Sequence, residues 1–395
     1  MQKINAKRWL SGILAAILLL AVFPLGTFAE EGDLTITTKE ELLQFAQSVS
    51  GGESYTGKTV VLAANLSLAG EDFAGIGSSA APFKGTFDGQ NHIVSDLSSS
   101  VGFFADVNGG TVKNLIVRGM VNGASNIAGV VGKLTAGAVQ NCGNEASVSG
   151  GANVGGVVGS VNGDCTVSGC YNSGAVSGTT GYIGGVTGQH WRAGTVENCY
   201  NIGTVSGPAT VGGITGGHKA SSPVLRNCYS AGTVVDTAGN QNNIGAVIGA
   251  TRGTNENCYF LSGCGTNDKT GITEVSSLSA AQLGDAFKAD EDGINGGLPV
   301  FAWQIKQPDL IITTYEALKS FAEAVSGGES YEGKLVRLGA NITLGGESSP
   351  WTPIGTASAP FKGTFDGGYH VIEGMEIASG SAVGFFGAVN GGTVK

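Results

Sequence analysis

Val196-Glu-Asn-Cys-Tyr-Asn-Ile-Gly-Thr-Val205 decides the fold, because it returns. Asn-Cys or Gly-Cys recurs at Cys142, Cys170, Cys199, Cys228 and Cys258, at spacings of 28, 29, 29 and 30. Between the copies stands a second theme: Val154-Gly-Gly-Val-Val-Gly159, Ile183-Gly-Gly-Val-Thr-Gly188, Val211-Gly-Gly-Ile-Thr-Gly216 and Ile244-Gly-Ala-Val-Ile-Gly249. Ile127-Ala-Gly-Val-Val-Gly132 is a looser, earlier copy. Short Val/Ile/Thr runs separated by Gly and Asn, repeating at this period, make one coil of a β-solenoid. Each run is too short to bury a face alone, so the coils must stack in parallel and share one core. The expected rise is ~4.8 Å per coil, the interstrand spacing.

Composition agrees. Glycine supplies 68 of 395 residues and charged residues only 13%, against usual levels of about 7% and about 25%. Nine prolines without a Gly-X-Y period exclude collagen. A hydrophobic fraction of 41% excludes wholesale disorder, which needs few apolar residues and high charge. A net charge of -10 with no basic run argues against nucleic acid as a partner. The glycines read as corner punctuation, since solenoid corners need positive φ, where a Cβ is penalised. No G-x-x-x-x-G-K-[ST] phosphate loop occurs.

The first residues read as a targeting segment. Lys3, Lys7 and Arg8 precede the uncharged run Trp9–Leu25, and Thr27-Phe-Ala29 precedes Glu30-Glu31. This is the pattern of a signal peptide, residues 1–29, cleaved after Ala29. Losing those three cations takes the net charge from -10 to -13. No second apolar run of membrane length follows, so no span is expected after cleavage.

A longer repeat contains the short one. Asp33-Leu-Thr-Ile-Thr-Thr38 returns as Asp309-Leu-Ile-Ile-Thr-Thr314, and Pro82-Phe-Lys-Gly-Thr-Phe-Asp-Gly89 as Pro360-Phe-Lys-Gly-Thr-Phe-Asp-Gly367. Asn108-Gly-Gly-Thr-Val-Lys113 matches Asn390-Gly-Gly-Thr-Val-Lys395. The expected organisation is a first module over 30–304, a linker over 305–308, and a second module over 309–395 that lacks its own coils. Within the first module the N-terminal cap spans about 33–119, the coils about 120–262 and the closing cap about 276–304. Each module opens with a helix: Thr37-x-x-Glu40 and Thr313-x-x-Glu316 have the spacing of a capping box. Leu42, Phe45, Ala46 and Val49, like Leu318, Phe321, Ala322 and Val325, then fall on one helical face. Ser279-x-x-Gln282 opens a further helix carrying Leu283, Ala286 and Phe287, with Gly297–Trp303 as a last strand. The fold class is all-β: a right-handed parallel β-helix with short capping helices, followed by the start of a second like module.

Gly129-Val-Val-Gly132, Gly156-Val-Val-Gly159, Gly185-Val-Thr-Gly188, Gly213-Ile-Thr-Gly216 and, more distantly, Gly384-Phe-Phe-Gly387 give the chain a family resemblance. It resembles bacterial surface proteins with GLUG motifs, with Val, Ile or Phe in place of the motif's Leu. The order of helix, Gly-Thr-Phe-Asp-Gly segment, Asn-Cys-Tyr coils and Trp-ended strand extends the resemblance over nearly all of Asp33–Lys395. It implies a β-helical fold at the cell surface. Such modules accompany immunoglobulin-A-cleaving metallopeptidases and adhesin-like proteins, so the resemblance does not itself imply an activity.

The search for chemistry is mostly negative. His92, His190, His218 and His370 stand apart in sequence, so no H-E-x-x-H metallopeptidase helix exists. No G-x-S-x-G elbow occurs. Polysaccharide cleavage needs carboxylates converging on one face, whereas the charges of the coils, Lys133, Arg192, Lys219 and Arg252 among them, keep no common phase. Glu197 and Glu256 share one, with Arg226 between them, as a solvated charge column would. The acidic run Asp290–Asn295 lacks the full calcium-loop pattern. No metal, cofactor or catalytic residue is expected.

Two columns remain. Cys142, Cys170, Cys199, Cys228 and Cys258 should stack as free thiols, with Cys165/Cys170 and Cys258/Cys264 as the alternative of small disulfide loops. Tyr171, Tyr200, Tyr229 and Tyr259 each follow a ladder cysteine, so alternation puts them on the opposite face. An outward strip of tyrosines suits a glycan or protein ligand; the plainer reading is that the rings only stabilise the stack. The function expected is a non-catalytic secreted or cell-surface module with a structural or adhesive role toward cell-wall or host glycan and protein. The alternatives are a spacer in a larger extracellular enzyme such as a surface peptidase, and a polysaccharide-active β-helix enzyme.

Overall fold

A computed structural model describes residues 33–239, 243–266, 269–344, 350–376 and 384–395. The signal-peptide segment 1–29 lies outside the described residues. The chain divides into two compact units, the first ending at Trp303 and the second running from Gln304 to Lys395.

The first unit is a parallel β-solenoid. One rung column can be followed through it: Leu34, Val60, Phe87, Val112, Val139, Val167, Val196, Leu225 and Asn255 pair in parallel, each with the next. Eight of these nine are apolar and, Leu34 apart, those eight are buried in one continuous core. Coiling therefore begins at Leu34, well before residue 120. The early coils lack Asn-Cys but keep the inward apolar residue, and that residue is what a coil needs.

Polar side chains keep the coils in register. Asn141, Asn198, Asn227 and Asn257 sit at φ near 50°, the left-handed corner that Asn tolerates. Asn227 Nδ2 donates to Asn198 Oδ1 at 3.2 Å and Asn257 Nδ2 to Asn227 Oδ1 at 2.9 Å. Gly169 takes the same corner at φ 63°.

Three residues on, a second asparagine column is wholly buried. Asn144 Nδ2 donates to Asn172 Oδ1 at 2.6 Å, and Asn172 Nδ2 to Asn201 Oδ1 at 2.7 Å. Each also donates to a carbonyl two residues further along its own coil. This column explains the first glycine of each Gly-x-x-Gly. A Cβ at Gly129, Gly156 or Gly185 would collide with the side chain of Asn144, Asn172 or Asn201 respectively. A buried amide is stabilising only when its donors and acceptors are met, and the opposing glycine makes room for that.

Helix α1 (Lys39–Ser50) closes the beginning of the core by burying Leu42, Phe45, Ala46 and Val49. Its capping box is Thr38 with Glu41, one residue beyond the predicted pair. Helix α2 (Ala280–Leu283) is one turn only, and Phe287–Lys288 pairs antiparallel with Val300–Phe301. The helix was expected to reach Phe287, but Gly284 at φ 96° ends it. The expected final strand shortens to Val300–Phe301 and passes into a 3-10 turn at Ala302–Gln304.

The second unit repeats the opening of the first. Leu310–Ile312, Leu335–Leu338, Thr364–Asp366 and Thr393–Val394 pair in parallel. Helix α3 (Tyr315–Ser326) buries Leu318, Phe321, Ala322 and Val325. Its cap is Thr314, which accepts from the Ala317 N–H, so the predicted Thr313/Glu316 box is not formed. Phe321 meets Phe361 edge-on at 5.7 Å, as Phe45 meets Phe83 at 5.8 Å. His370 Nδ1 lies 3.3 Å from Asn341 Oδ1, as His92 Nδ1 lies 3.2 Å from Asn65 Oδ1. The recurring histidine is thus part of a shared turn.

Candidate functional site

The two sequence-predicted columns form, but neither offers a ligand an open face. Cys142, Cys170, Cys199, Cys228 and Cys258 are free thiols inside the core, and Cys165 and Cys264 are also free and buried. Each ladder thiol donates to the carbonyl two residues before it, as Cys199 Sγ does to Glu197 O at 3.1 Å. Burial raises the thiols of Cys142, Cys199 and Cys228 well above their ordinary range, which suits inert packing.

The tyrosines point out of the solenoid, stacked at 5.4 Å from Tyr171 to Tyr200 and 5.0 Å from Tyr200 to Tyr229. They are not an exposed strip, however. The segment after the last coil folds back along them rather than across the end of the stack. Leu283, Phe287 and Phe301 join Tyr171, Tyr200 and Tyr229 in one buried cluster, with Trp303 and the half-buried Tyr259 packed against it. Trp303 Nε1 donates to Gly169 O at 3.2 Å. Asn295 Nδ2 donates to Tyr229 Oη at 2.7 Å, and Tyr229 Oη donates to Pro299 O. Tyr171 Oη donates to Glu145 Oε1 at 2.5 Å; burial, with Glu145 beside it, holds that phenol above its ordinary range. The expected glycan platform is an intramolecular docking track, its rings covered by Leu283, Phe287, Phe301 and Trp303.

Other candidates are likewise engaged within the fold. Arg226 contacts Glu197 Oε2 at 2.6 Å, and Glu197, Arg226 and Glu256 stand in register. The Asp290 carboxylate accepts from the backbone N–H groups of Ile294, Asn295 and Gly297 at 2.7, 2.7 and 2.9 Å. Those three donors hold it in the loop.

An outward-facing group of a different kind lies at the corner after strands Thr187–His190 and Thr215–His218. Trp191 is 47% exposed. Lys219 Nζ stands 5.0 Å from the centre of the Trp191 ring and 5.1 Å from that of Tyr182, a cation held between two aromatic faces. Backbone bonds fix the stacking: Trp191 N–H donates to Val161 O at 2.8 Å and Lys219 N–H to His190 O at 2.9 Å. Arg192 follows Trp191. Arg252 stands two residues past Ala250, whose register partner Gly217 stands two residues before Lys219. Two shallow clefts of about 530 Å³ flank the group. Thr135, Asn162, Trp191 and Arg192 line one; Tyr182, His218, Thr251 and Arg252 are among those lining the other.

Directly beneath it, His190 and His218 pair in register inside the solenoid, with ring centres 5.5 Å apart. Burial lowers His190 to about 4 and His218 to about 3, and the neighbouring His190 ring adds to the lowering of His218. In sequence these histidines stand apart, and Arg192, Lys219 and Arg252 share no phase relative to Asn-Cys. Trp191 lies eight residues before Cys199, Lys219 nine before Cys228 and Arg252 six before Cys258. The corner loops differ in length; counting from the His190 and His218 strands aligns them.

The class defined by fold and surface is a parallel β-solenoid with an aromatic–cationic corner. No family model matches the chain, and no curated protein matches it. Its fold is similar to that in the crystal structure of "a putative immunoglobulin A1 protease from Bacteroides ovatus". The TM-score is 0.55 at 21% identity, covering 70% of this chain and 94% of that one. At that identity the likeness is one of fold.

Proposed function

We propose that this chain is an exported, cell-surface module of the GLUG-motif kind. Its role is structural and adhesive toward cell-wall or host glycan and protein, without chemistry of its own. One observation carries this reading: side chains that repeat from coil to coil are engaged within the fold. Asn144, Asn172 and Asn201 bond to one another, Arg226 to Glu197, and the tyrosines are covered by 278–303. Such a stack is a stiff mount, and stiffness favours presentation of a surface. Among the described residues, no helix is long and apolar enough to cross a membrane. A second reading, a non-catalytic spacer within a larger surface peptidase, is supported by the fold shared with the Bacteroides ovatus protein.

The test is made on whole cells producing the chain with a terminal epitope. The expected result is an epitope that external protease removes from intact cells. Retention of those cells on immobilised glycan or matrix protein should exceed that of a deletion strain. An epitope found only inside the cell, or equal retention of both strains, contradicts the proposal.

A further inference from the structure

Three cations elsewhere on the coils are neutralised locally: Arg118 by Glu145 at 2.6 Å, Lys133 by Asp106 at 3.0 Å and Arg226 by Glu197 at 2.6 Å. Arg192, Lys219 and Arg252 differ. All three are exposed, and none forms an ion pair with a described carboxylate. They gather on one corner of a chain whose net charge is -10. Asp164 is exposed three residues past Val161, the register partner of His190 one coil earlier. Three unpaired cations within about two coil rises, ~10 Å, repel one another unless an anion joins them.

The aromatic side chains narrow the kind of anion. Trp191 and Tyr182 each present a ring face to the Lys219 ammonium. Flat rings take the C–H faces of a pyranose, while lysine and arginine take a carboxylate or sulfate. The clefts on both sides continue the path across the coils, from Thr135 and Asn162 past Trp191 to Thr251 and Arg252. Asn162 supplies an amide and Thr251 a hydroxyl along it. A chain ligand fits a path of this shape better than a compact one. His218 adds a buried polar atom beside the path: its Nε2 has no hydrogen-bond partner, and its ring lines the cleft that holds Arg252.

We propose that the corner formed by Tyr182, Trp191, Arg192, Lys219 and Arg252 binds an acidic oligosaccharide, a sugar face on the side of the exposed Trp191 ring that Lys219 leaves open and its anionic groups on the cations. The proposal rests on the adhesive reading and names the ligand class.

The experiment titrates the purified chain with a uronic-acid oligosaccharide and with the same oligosaccharide after carboxyl reduction, following tryptophan fluorescence and heat. The acidic form is expected to bind at least about tenfold more tightly, with an affinity that falls as salt rises. Trp191→Ala and Lys219→Gln should each weaken it about tenfold. Their melting temperatures should stay near wild type, since both side chains are exposed. Equal binding of the two oligosaccharides overturns the proposal, as does wild-type affinity in both variants. So does a preference for an acidic peptide or single-stranded nucleic acid. Cell retention on glycan that survives Trp191→Ala also overturns it, while leaving the adhesive reading in place.

Discussion

Replacing Tyr200 by Ala is expected to cost about 3–5 kcal/mol of unfolding free energy, the range for deleting a large buried aromatic. Tyr200 is the centre of the covered strip, between Tyr171 at 5.4 Å and Tyr229 at 5.0 Å, with Phe301 at 5.2 Å above it. Its loss opens a cavity between the coils and the returning segment, and the cover shares the damage. Denaturant unfolding measures the first effect, and hydrogen exchange over 278–303 the second. Tyr259→Ala, at the half-buried end of the strip, should cost less. A Tyr200→Ala protein with wild-type stability and unchanged exchange over 278–303 would show that the segment does not depend on the strip.

Mild acid should destabilise the first unit through His190 and His218. Unfolded, both titrate near pH 6.5; folded, burial holds them at about 4 and about 3. The folded state therefore binds fewer protons than the unfolded one below pH 6.5. Their contribution is full above that value and is lost as pH falls toward the folded values. At pH 5 the loss is roughly 2 kcal/mol per histidine, from 1.5 pH units at about 1.36 kcal/mol each. Two such groups lose roughly 4 kcal/mol. Few carboxylates titrate between pH 7 and 5, so the interval isolates the imidazoles. Replacing both by Val, the residue that Val161 supplies at the paired position one coil earlier, should flatten the profile over that interval. Equal acid sensitivity in wild type and the His190→Val/His218→Val protein would assign the loss elsewhere.

The coil was legible in Val196–Val205 because its order follows from local constraints. An asparagine at positive φ turns the chain, the cysteine after it enters the core, and the tyrosine after that points out. Strict alternation past a fixed corner is readable from sequence. What covers the tyrosines was not, because Leu283, Phe287, Phe301 and Trp303 belong to no repeat and return from far along the chain. The buried Asn144–Asn172–Asn201 relay was present in the repeated motif, yet its role appears only when Gly129, Gly156 and Gly185 are seen opposite it. The Trp191 corner was hidden for a different reason. Loops of unequal length separate it from Asn-Cys, so residues adjacent in space lost their common phase. Asn-Cys does not mark where the coils start, because it is one way of turning a corner, whereas an inward apolar residue such as Val60 or Phe87 is what the early coils share with the later ones.

The proposed function has this chain hold partners without converting them. It is tested most directly by incubating the purified chain with acidic polysaccharide and with immunoglobulin A1, reading the mass of every partner over time. The account predicts retention of the polysaccharide on the chain with unchanged masses for both. Time-dependent shortening of the polysaccharide, or cleavage of the immunoglobulin, that disappears when the chain is denatured would contradict it.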